Sequence, residues 1–124
     1  MSTKILIADD EPNILISLEF LMKREGYEVV LARDGQEAID AILRERPALV
    51  LLDVMMPVKT GFDVCHEVRA NEAVRETPIV MLTAKGRETD MVKGLALGAN
   101  AYMTKPFSTK DLAQKVRELL GVVP

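Results

Sequence analysis

The chain has 124 residues, of which 48% are hydrophobic and 28% charged, a balance typical of a folded protein of one domain. Its net charge is −3 and no lysine- and arginine-rich tail is present, so direct binding of nucleic acid is disfavoured. The single cysteine excludes an internal disulfide and fits a reducing compartment.

Short, continuous apolar runs predict strands that are buried on both faces of a parallel sheet. We predict five such strands, at residues 4–8, 28–32, 49–52, 79–83 and 101–104. The first run ends at two aspartates and is too short for a signal peptide or a membrane span. With no targeting segment and no membrane span, we expect the protein to be cytoplasmic.

The segments that follow the first two strands have apolar residues at helical spacing. Pro12 suits the opening turn of the first helix, and Gly26 suits a left-handed stop. Asp34 is the expected N-cap of the second helix, because Glu37 follows it three residues later. Both segments therefore carry their own start or stop signals.

Capping-box spacing also marks the third and fifth helices. Thr60 and Ser108 are each followed three residues later by an aspartate, Asp63 and Asp111. The fourth segment is predicted to end at Gly98. It carries three apolar residues at helical spacing: Val92, Leu95 and Ala96.

Five strand–helix repeats predict an α/β fold with right-handed crossovers and helices on both faces of the sheet. The working topology is a flavodoxin-like, doubly wound, five-stranded parallel sheet of order 2-1-3-4-5, in three layers with five helices. The repeats occupy nearly all of the sequence, so we expect one domain over residues 1–124.

Charged residues follow the ends of three predicted strands. Asp9 and Asp10 end the first run, Asp53 ends the third, and Lys105 ends the fifth. Ligands of open α/β sheets bind beyond these carboxyl ends, so we expect the four side chains to converge. Two carboxylates about 4 Å apart repel by roughly 4 kcal/mol at an effective dielectric of about 20, so the cluster needs a cation.

A site with oxygen ligands and no thiolate favours a hard cation, Mg²⁺ or alternatively Mn²⁺. Mg²⁺ uses few carboxylates and recruits phosphate oxygens, so the site predicts phosphoryl chemistry. Asp53 stands alone at the end of a central strand and is the better nucleophile for an aspartyl-phosphate. Lys105 and the hydroxyl of Thr83, at the end of the fourth strand, would bind phosphoryl oxygens.

Four motifs in order resemble the receiver domain of two-component response regulators. They are IADDE at residues 7–11, LDVMMP at 52–57, LTA at 82–84 and TKPF at 104–107. The resemblance covers essentially the whole chain and implies the same five-stranded α/β fold.

The resemblance implies a role for each matching residue of the acidic site. Asp53 matches the phosphorylated aspartate, and Asp10 matches a direct Mg²⁺ ligand. Asp9 matches an acidic partner that acts through water, and the backbone carbonyl of Met55 matches the remaining protein ligand. Lys105 matches the lysine that pairs with the phosphoryl group.

The resemblance also implies a switch. Thr83 would move toward the phosphoryl group, and Tyr102 would rotate into the space behind it. The surface formed by the fourth helix, fifth strand and fifth helix would then change. Its expected partner-binding residues are Met91, Leu95 and Phe107.

The implied partners are a sensor histidine kinase or a histidine phosphotransfer protein as phosphodonor. The downstream effector would be a separate protein or a C-terminal domain that is missing here, and the chain would be a monomer or a phosphorylation-linked dimer. Such a domain catalyses its own phosphorylation and dephosphorylation and is not a conventional enzyme. The family positions that tune phosphoryl lifetime are Met55 and Lys85, and neither predicts a lifetime.

Three other functions fit parts of the pattern. An aspartyl-nucleophile phosphatase would need a second acid two residues after the nucleophile, where this chain has Met55. A flavin-binding electron carrier would need a phosphate loop after the first strand, where the acids would repel a phosphate. A pseudo-receiver that only binds partners would not need the complete acidic set.

Overall fold

The computed structural model describes residues 3–84 and 87–121. Lys85, one of the two expected lifetime positions, lies outside these residues. The strands in chain order are β1 Lys4–Ala8, β2 Glu28–Ala32, β3 Leu49–Asp53, β4 Ile79–Ala84 and β5 Ala101–Lys105. The helices are α1 Pro12–Arg24, α2 Gly35–Glu45, α3 Gly61–Ala70, α4 Glu88–Ala96 and α5 Thr109–Leu120.

The strands form one parallel sheet in the order β2-β1-β3-β4-β5, which confirms the predicted fold. The first two predicted strands have the observed bounds, and each of the other three extends one residue further. Ala8 pairs with Leu52, and Asp53 pairs with Leu82, so the carboxyl ends of the central strands are level. This register puts the residue after β1 beside the last residue of β3.

Two apolar clusters pack against the two faces of the sheet. One joins the strands to α2 and α3, and the other joins them to α1 and α5. All five residues of β3 are buried, because this central strand is covered on both faces. None of the described helices combines the length and apolar composition needed to cross a membrane.

The predicted helix ends are confirmed. Asp34 accepts a hydrogen bond from the Glu37 N–H at 2.8 Å, and Thr60 forms a complete capping box with Asp63. Ser108 accepts from the N–H three residues later at 3.3 Å. Gly26 has a φ of 93°, a left-handed conformation that favours glycine after a helix.

Helix α4 does not bury its apolar side chains. Its apolar residues face solvent, with Met91 36%, Val92 67% and Leu95 46% exposed. The side toward the sheet instead carries Asp90 and Gly94. Gly94 lets the helix lie close to β4, because a Cβ there would be 3.3 Å from a side-chain carbon of Met81.

One arginine on α3 joins three separate segments. Arg69 donates to the carbonyl oxygens of Arg75 and Thr77, both at 2.8 Å. It also donates to the carbonyl oxygen of Gly98 at 2.9 Å and to the side chain of Asn100 at 2.8 Å. The end of α3, the approach to β4 and the turn before β5 therefore share one guanidinium group.

Candidate functional site

The three aspartates converge at the carboxyl end of the sheet. Side-chain oxygens of Asp9, Asp10 and Asp53 all lie within 4.8 Å of one another. Asp9 is 0% exposed and Asp53 is 4% exposed, whereas Asp10 is exposed. The site is thus buried at its base and open to solvent on the side of Asp10.

Lys105 reaches this cluster from the end of β5. Its Nζ lies 2.8 Å from Oδ2 of Asp9 and 3.3 Å from Oδ1 of Asp53. Glu11, which the sequence analysis did not assign to the site, has an oxygen 3.8 Å from the same Nζ. One ammonium therefore pairs with Asp9 and Asp53 and lies near Glu11, and the cluster keeps an excess of negative charge.

Asp9 is held at both of its oxygens. Oδ2 accepts from Lys105, and Oδ1 accepts from the backbone N–H of Glu11 at 2.9 Å. These two contacts fix the orientation of the carboxylate. Its burial is compensated by hydrogen bonds, as a buried carboxylate requires.

Burial and the close approach of these charged groups shift the pKa values of Asp53 and Lys105. Burial, and then the charge of Asp9, raise the pKa of Asp53 to about 6 despite the opposing effect of Lys105. Burial alone would lower the pKa of Lys105, but the hydrogen bond to Asp9 and the charges of both aspartates outweigh it and raise that pKa. An added cation would relieve the same repulsion.

The donor set fits a small, hard cation. Three carboxylates offer only oxygen, the ligand atom that Mg²⁺ and Mn²⁺ prefer. The side-chain oxygens lie close enough together for more than one of these aspartates to reach the same ion. The metal-binding role of the Met55 carbonyl remains a prediction.

The start of α3 presses against the strand end that carries Asp53. A Cβ on Gly61 would lie 2.4 Å from the backbone oxygen of Asp53, and the Gly61 N–H donates to the Val54 oxygen at 2.9 Å. Between them Val58 has a φ of 71°, an uncommon conformation for a β-branched residue. The position of Asp53 thus depends on a close backbone contact that only glycine permits.

Thr83 and Tyr102, the two expected switch residues, are held by contacts of their own. The Thr83 hydroxyl donates to Oδ2 of Asp90 at 3.2 Å, and the Tyr102 hydroxyl donates to the Arg87 carbonyl at 2.9 Å. Arg87 also pairs with Asp90 through its guanidinium. This pairing lowers the pKa of Asp90 and raises the pKa of Arg87.

Asp90 and Arg87 belong to none of the motifs from which the site residues were predicted. The available signal was the spacing of Asp90, Gly94 and Leu97, which places them on one side of a helix. A run of more apolar residues on the opposite side concealed this pattern.

The three expected partner-binding residues belong to two separate parts of the fold. Met91 and Leu95 are exposed on α4. Phe107 is half-buried and packs against the cluster beneath α1 and α5, whereas α4 covers the opposite face of the sheet. Their role in partner binding remains a prediction.

Comparison with known proteins identifies the family. The family model for the response regulator receiver domain matches residues 5–117. A protein of Chloroflexus aurantiacus J-10-fl, assigned as a response regulator, is 34% identical with a TM-score of 0.94, and the match covers 98% of this chain and 99% of that one.

Two further crystal structures are similar over nearly their whole length. The receiver domain of a sensor histidine kinase from Pseudomonas aeruginosa, solved with a magnesium ion coordinated in its active-site cleft, is 32% identical with a TM-score of 0.90 over 98% of this chain and 99% of that one. The Vibrio cholerae chemotaxis protein CheY4 is 33% identical with a TM-score of 0.89 over 96% and 99%. The chain therefore belongs to the family of response regulator receiver domains.

Proposed function

We propose that the 124-residue chain works as one receiver domain that accepts a phosphoryl group on Asp53. The observation that carries this proposal is the cluster of three aspartate side chains within 4.8 Å of one another, with the Lys105 ammonium 3.3 Å from Asp53. A buried carboxylate beside an ammonium, open to solvent on one side, suits nucleophilic attack on a phosphoryl donor.

Asp10, Asp53 and the backbone carbonyl of Met55 would hold Mg²⁺, or Mn²⁺ in its place, with Asp9 acting through water. The indirect role of Asp9 is supported by its two oxygens, each of which already accepts a hydrogen bond. When bound, the ion supplies positive charge for the phosphoryl oxygens. The magnesium ion in the similar Pseudomonas aeruginosa domain supports this proposal.

The nucleophile is the ionised carboxylate of Asp53. With a pKa of about 6, the group is ionised at neutral pH. One of its oxygens forms a bond to phosphorus, while the P–N bond of a phosphohistidine breaks and the imidazole leaves with the electron pair. Lys105 neutralises charge on a phosphoryl oxygen, and attack by water later returns inorganic phosphate and the free carboxylate.

Phosphorylation adds a charge of about −1.5 to −2 and three acceptor oxygens beside Thr83. We propose that Thr83 turns toward these oxygens and that Tyr102 follows, which changes the surface around α4, β5 and α5. Met91 and Leu95 would contact a partner there, with Phe107 at the neighbouring loop. Differential contacts worth a few kcal/mol are sufficient for such a population shift.

A sensor histidine kinase or a histidine phosphotransfer protein is the proposed phosphodonor. The similarity to the receiver domain of a sensor histidine kinase supports this class of partner. The effector, as a separate protein or a further domain, remains a prediction. So do the cytoplasmic location and the choice between a monomer and a phosphorylation-linked dimer.

Intact-mass measurement after incubation with acetyl phosphate tests the proposal directly. We expect the added mass of one phosphoryl group when Mg²⁺ is present and none when the metal is chelated. Asp53→Asn should abolish the addition, because the amide is not a nucleophile. The matched control is Asp40→Asn, an exposed acid on α2 that should behave as the wild-type protein does.

Two outcomes would contradict the proposal. One is a folded protein that gains no phosphoryl group from acetyl phosphate with Mg²⁺. The other is phosphorylation that persists at full extent in Asp53→Asn, which would place the acceptor elsewhere.

A further inference from the structure

A buried acid on α4 takes no part in the proposed chemistry. Asp90 is 6% exposed and lies on the side of α4 that faces the sheet. Burying a carboxylate is costly unless it is paired and hydrogen-bonded. Here its Oδ1 accepts from Nη2 of Arg87 at 3.3 Å, and its Oδ2 accepts from both Nε of Arg87 and the Thr83 hydroxyl.

These contacts form a connected group that we name the α4 clasp, consisting of Thr83, Arg87, Asp90 and Tyr102. Thr83 donates to Asp90, Asp90 pairs with Arg87, and the Arg87 carbonyl accepts from Tyr102. The clasp therefore links the two expected switch residues of β4 and β5 through one turn of α4.

The Thr83 hydroxyl carries one proton, so it donates fully to one acceptor at a time. In this structure that acceptor is an ionised carboxylate, and such charge-assisted hydrogen bonds are about twice as strong as neutral ones. A phosphoryl group on Asp53 would offer only acceptor oxygens. It would therefore compete with Asp90 for the same proton.

We infer that Asp90 is a positioning residue that holds Thr83 in the resting state and opposes its capture by a phosphoryl group on Asp53. This inference rests on the proposed function of Asp53. Its consequence is that the hydrogen bond between Thr83 and Asp90 sets how far phosphorylation shifts the domain toward its switched state.

The packing of α4 explains why this one bond matters. Among the residues of α4 whose side chains the structure describes, only Asp90 and Gly94 are buried. Glycine contributes no side chain to the contact with β4. The first turn of α4 is therefore joined to the sheet by the clasp, and loss of the Thr83 bond would leave the bond between Tyr102 and the Arg87 carbonyl as its remaining link within the clasp.

Calorimetric binding of beryllofluoride, a phosphoryl mimic, in saturating Mg²⁺ tests the inference on the full chain. Asp90→Asn keeps the shape of the side chain but offers Thr83 a neutral acceptor. We expect it to bind beryllofluoride roughly fivefold more tightly than the wild type, because less is lost when Thr83 is released. The control Asp40→Asn, on the exposed side of α2, should not change the affinity.

The double variant separates positioning from a general effect on folding. In a Thr83→Ala background there is no hydroxyl to release, so adding Asp90→Asn should change the affinity by less than about twofold. Unchanged or weaker binding by folded Asp90→Asn would overturn the inference. Equal tightening with and without the Thr83 hydroxyl would overturn it too.

A measurement on the unmodified protein decides the matter if Asp90→Asn does not fold. The carboxyl carbon resonance of Asp90 should shift when beryllofluoride binds, and that of Asp40 should not. An unmoved Asp90 resonance would overturn the inference. If the wild type shows no beryllofluoride binding that depends on Asp53, the proposed function has failed. If it binds, but neither the Asp90→Asn substitution nor the Asp90 resonance responds as expected, only the inference about Asp90 has failed.

Discussion

Helices α3 and α4 cover the same face of the sheet but are held in different ways. Helix α3 buries Val64, Cys65 and Val68 and begins with a complete capping box. Helix α4 turns Asp90 and Gly94 toward the sheet and has no side-chain hydrogen bond at its N-cap. Apolar packing holds the first helix, and hydrogen bonds hold the second.

This difference implies that α3 keeps its position on the sheet, whereas α4 can change its contacts with it. Moving α3 would expose its buried apolar side chains to water, and no other contact would replace those that it lost. We therefore expect α3, and the Asp53 backbone that it touches, to stay in place. A hydrogen bond can be exchanged for another at a small net free energy, so α4 can move when an acceptor with more charge appears. Paired substitutions in the two helices test this contrast.

The largest contrast should come from adding a methyl group to one glycine in each helix. Gly61→Ala would place a Cβ 2.4 Å from the Asp53 backbone oxygen, and we expect it to lower the free energy of unfolding by about 3 kcal/mol. Gly94→Ala would place a Cβ 3.3 Å from the flexible side chain of Met81 and in ordinary contact, at 3.8 Å, with Phe62. Its gain of about 1 kcal/mol in helix propensity offsets the closer contact. Urea denaturation measures both, and equal losses would contradict the comparison.

Truncating an apolar side chain in each helix should give the next largest difference. Val64→Ala removes buried methyl groups from α3, and we expect it to lower the free energy of unfolding by about 2 kcal/mol. Leu95→Ala, on the solvent side of α4, should change it by less than about 0.5 kcal/mol. A comparable loss in Leu95→Ala would show that α4 is held by apolar contacts.

Lowering the pH to below 6 should protonate Asp53 but not Asp90. Mg²⁺ binding requires ionised Asp53, whose pKa is about 6. The affinity of the protein for Mg²⁺ should therefore be constant above that pH and fall about tenfold per pH unit below it. Asp90 should stay ionised over this interval, because Arg87 lowers its pKa. Calorimetric titrations with Mg²⁺ test this, and in Asp53→Asn the residual affinity should vary little with pH. A wild-type affinity that stays constant below pH 6 would contradict it.

The smallest contrast concerns the helix starts. Thr60→Ala removes the cap of α3, and we expect it to lower the free energy of unfolding by about 1 kcal/mol. Thr89→Ala, an exposed change in the first turn of α4, should have an effect below about 0.5 kcal/mol. Thermal or urea unfolding distinguishes the two, and equal effects would contradict the assigned cap.

The sheet and the acidic cluster could be predicted from the sequence for one physical reason. Strands buried on both faces leave continuous apolar runs, and the parallel order then brings the ends of those runs to one edge. Asp9, Asp53 and Lys105 each stand where such a run ends, so their convergence follows from topology alone. The capping box of α3 and the Ser108 cap of α5 could be predicted because the two residues of each pair are three positions apart. At α5 only the bond to the Ser108 side chain forms.

The orientation of α4 and the partner of Thr83 could not be predicted in that way. Burying Asp90 is favourable only when Arg87 and Thr83 both reach it, and Thr83 belongs to a different element. Local spacing favours Val92 and Leu95 as the inward side, since an isolated buried carboxylate is costly. The stabilising contacts exist only after the chain has folded.

The guanidinium of Arg69 has a consequence for protein engineering. It fastens the backbone at Arg75, Thr77 and Gly98 at the same time. New chain termini or an inserted reporter in any of these segments would loosen the other two, because all share one donor group. Circular permutants opened there should therefore be harder to obtain than permutants opened at exposed turns that make no such bonds.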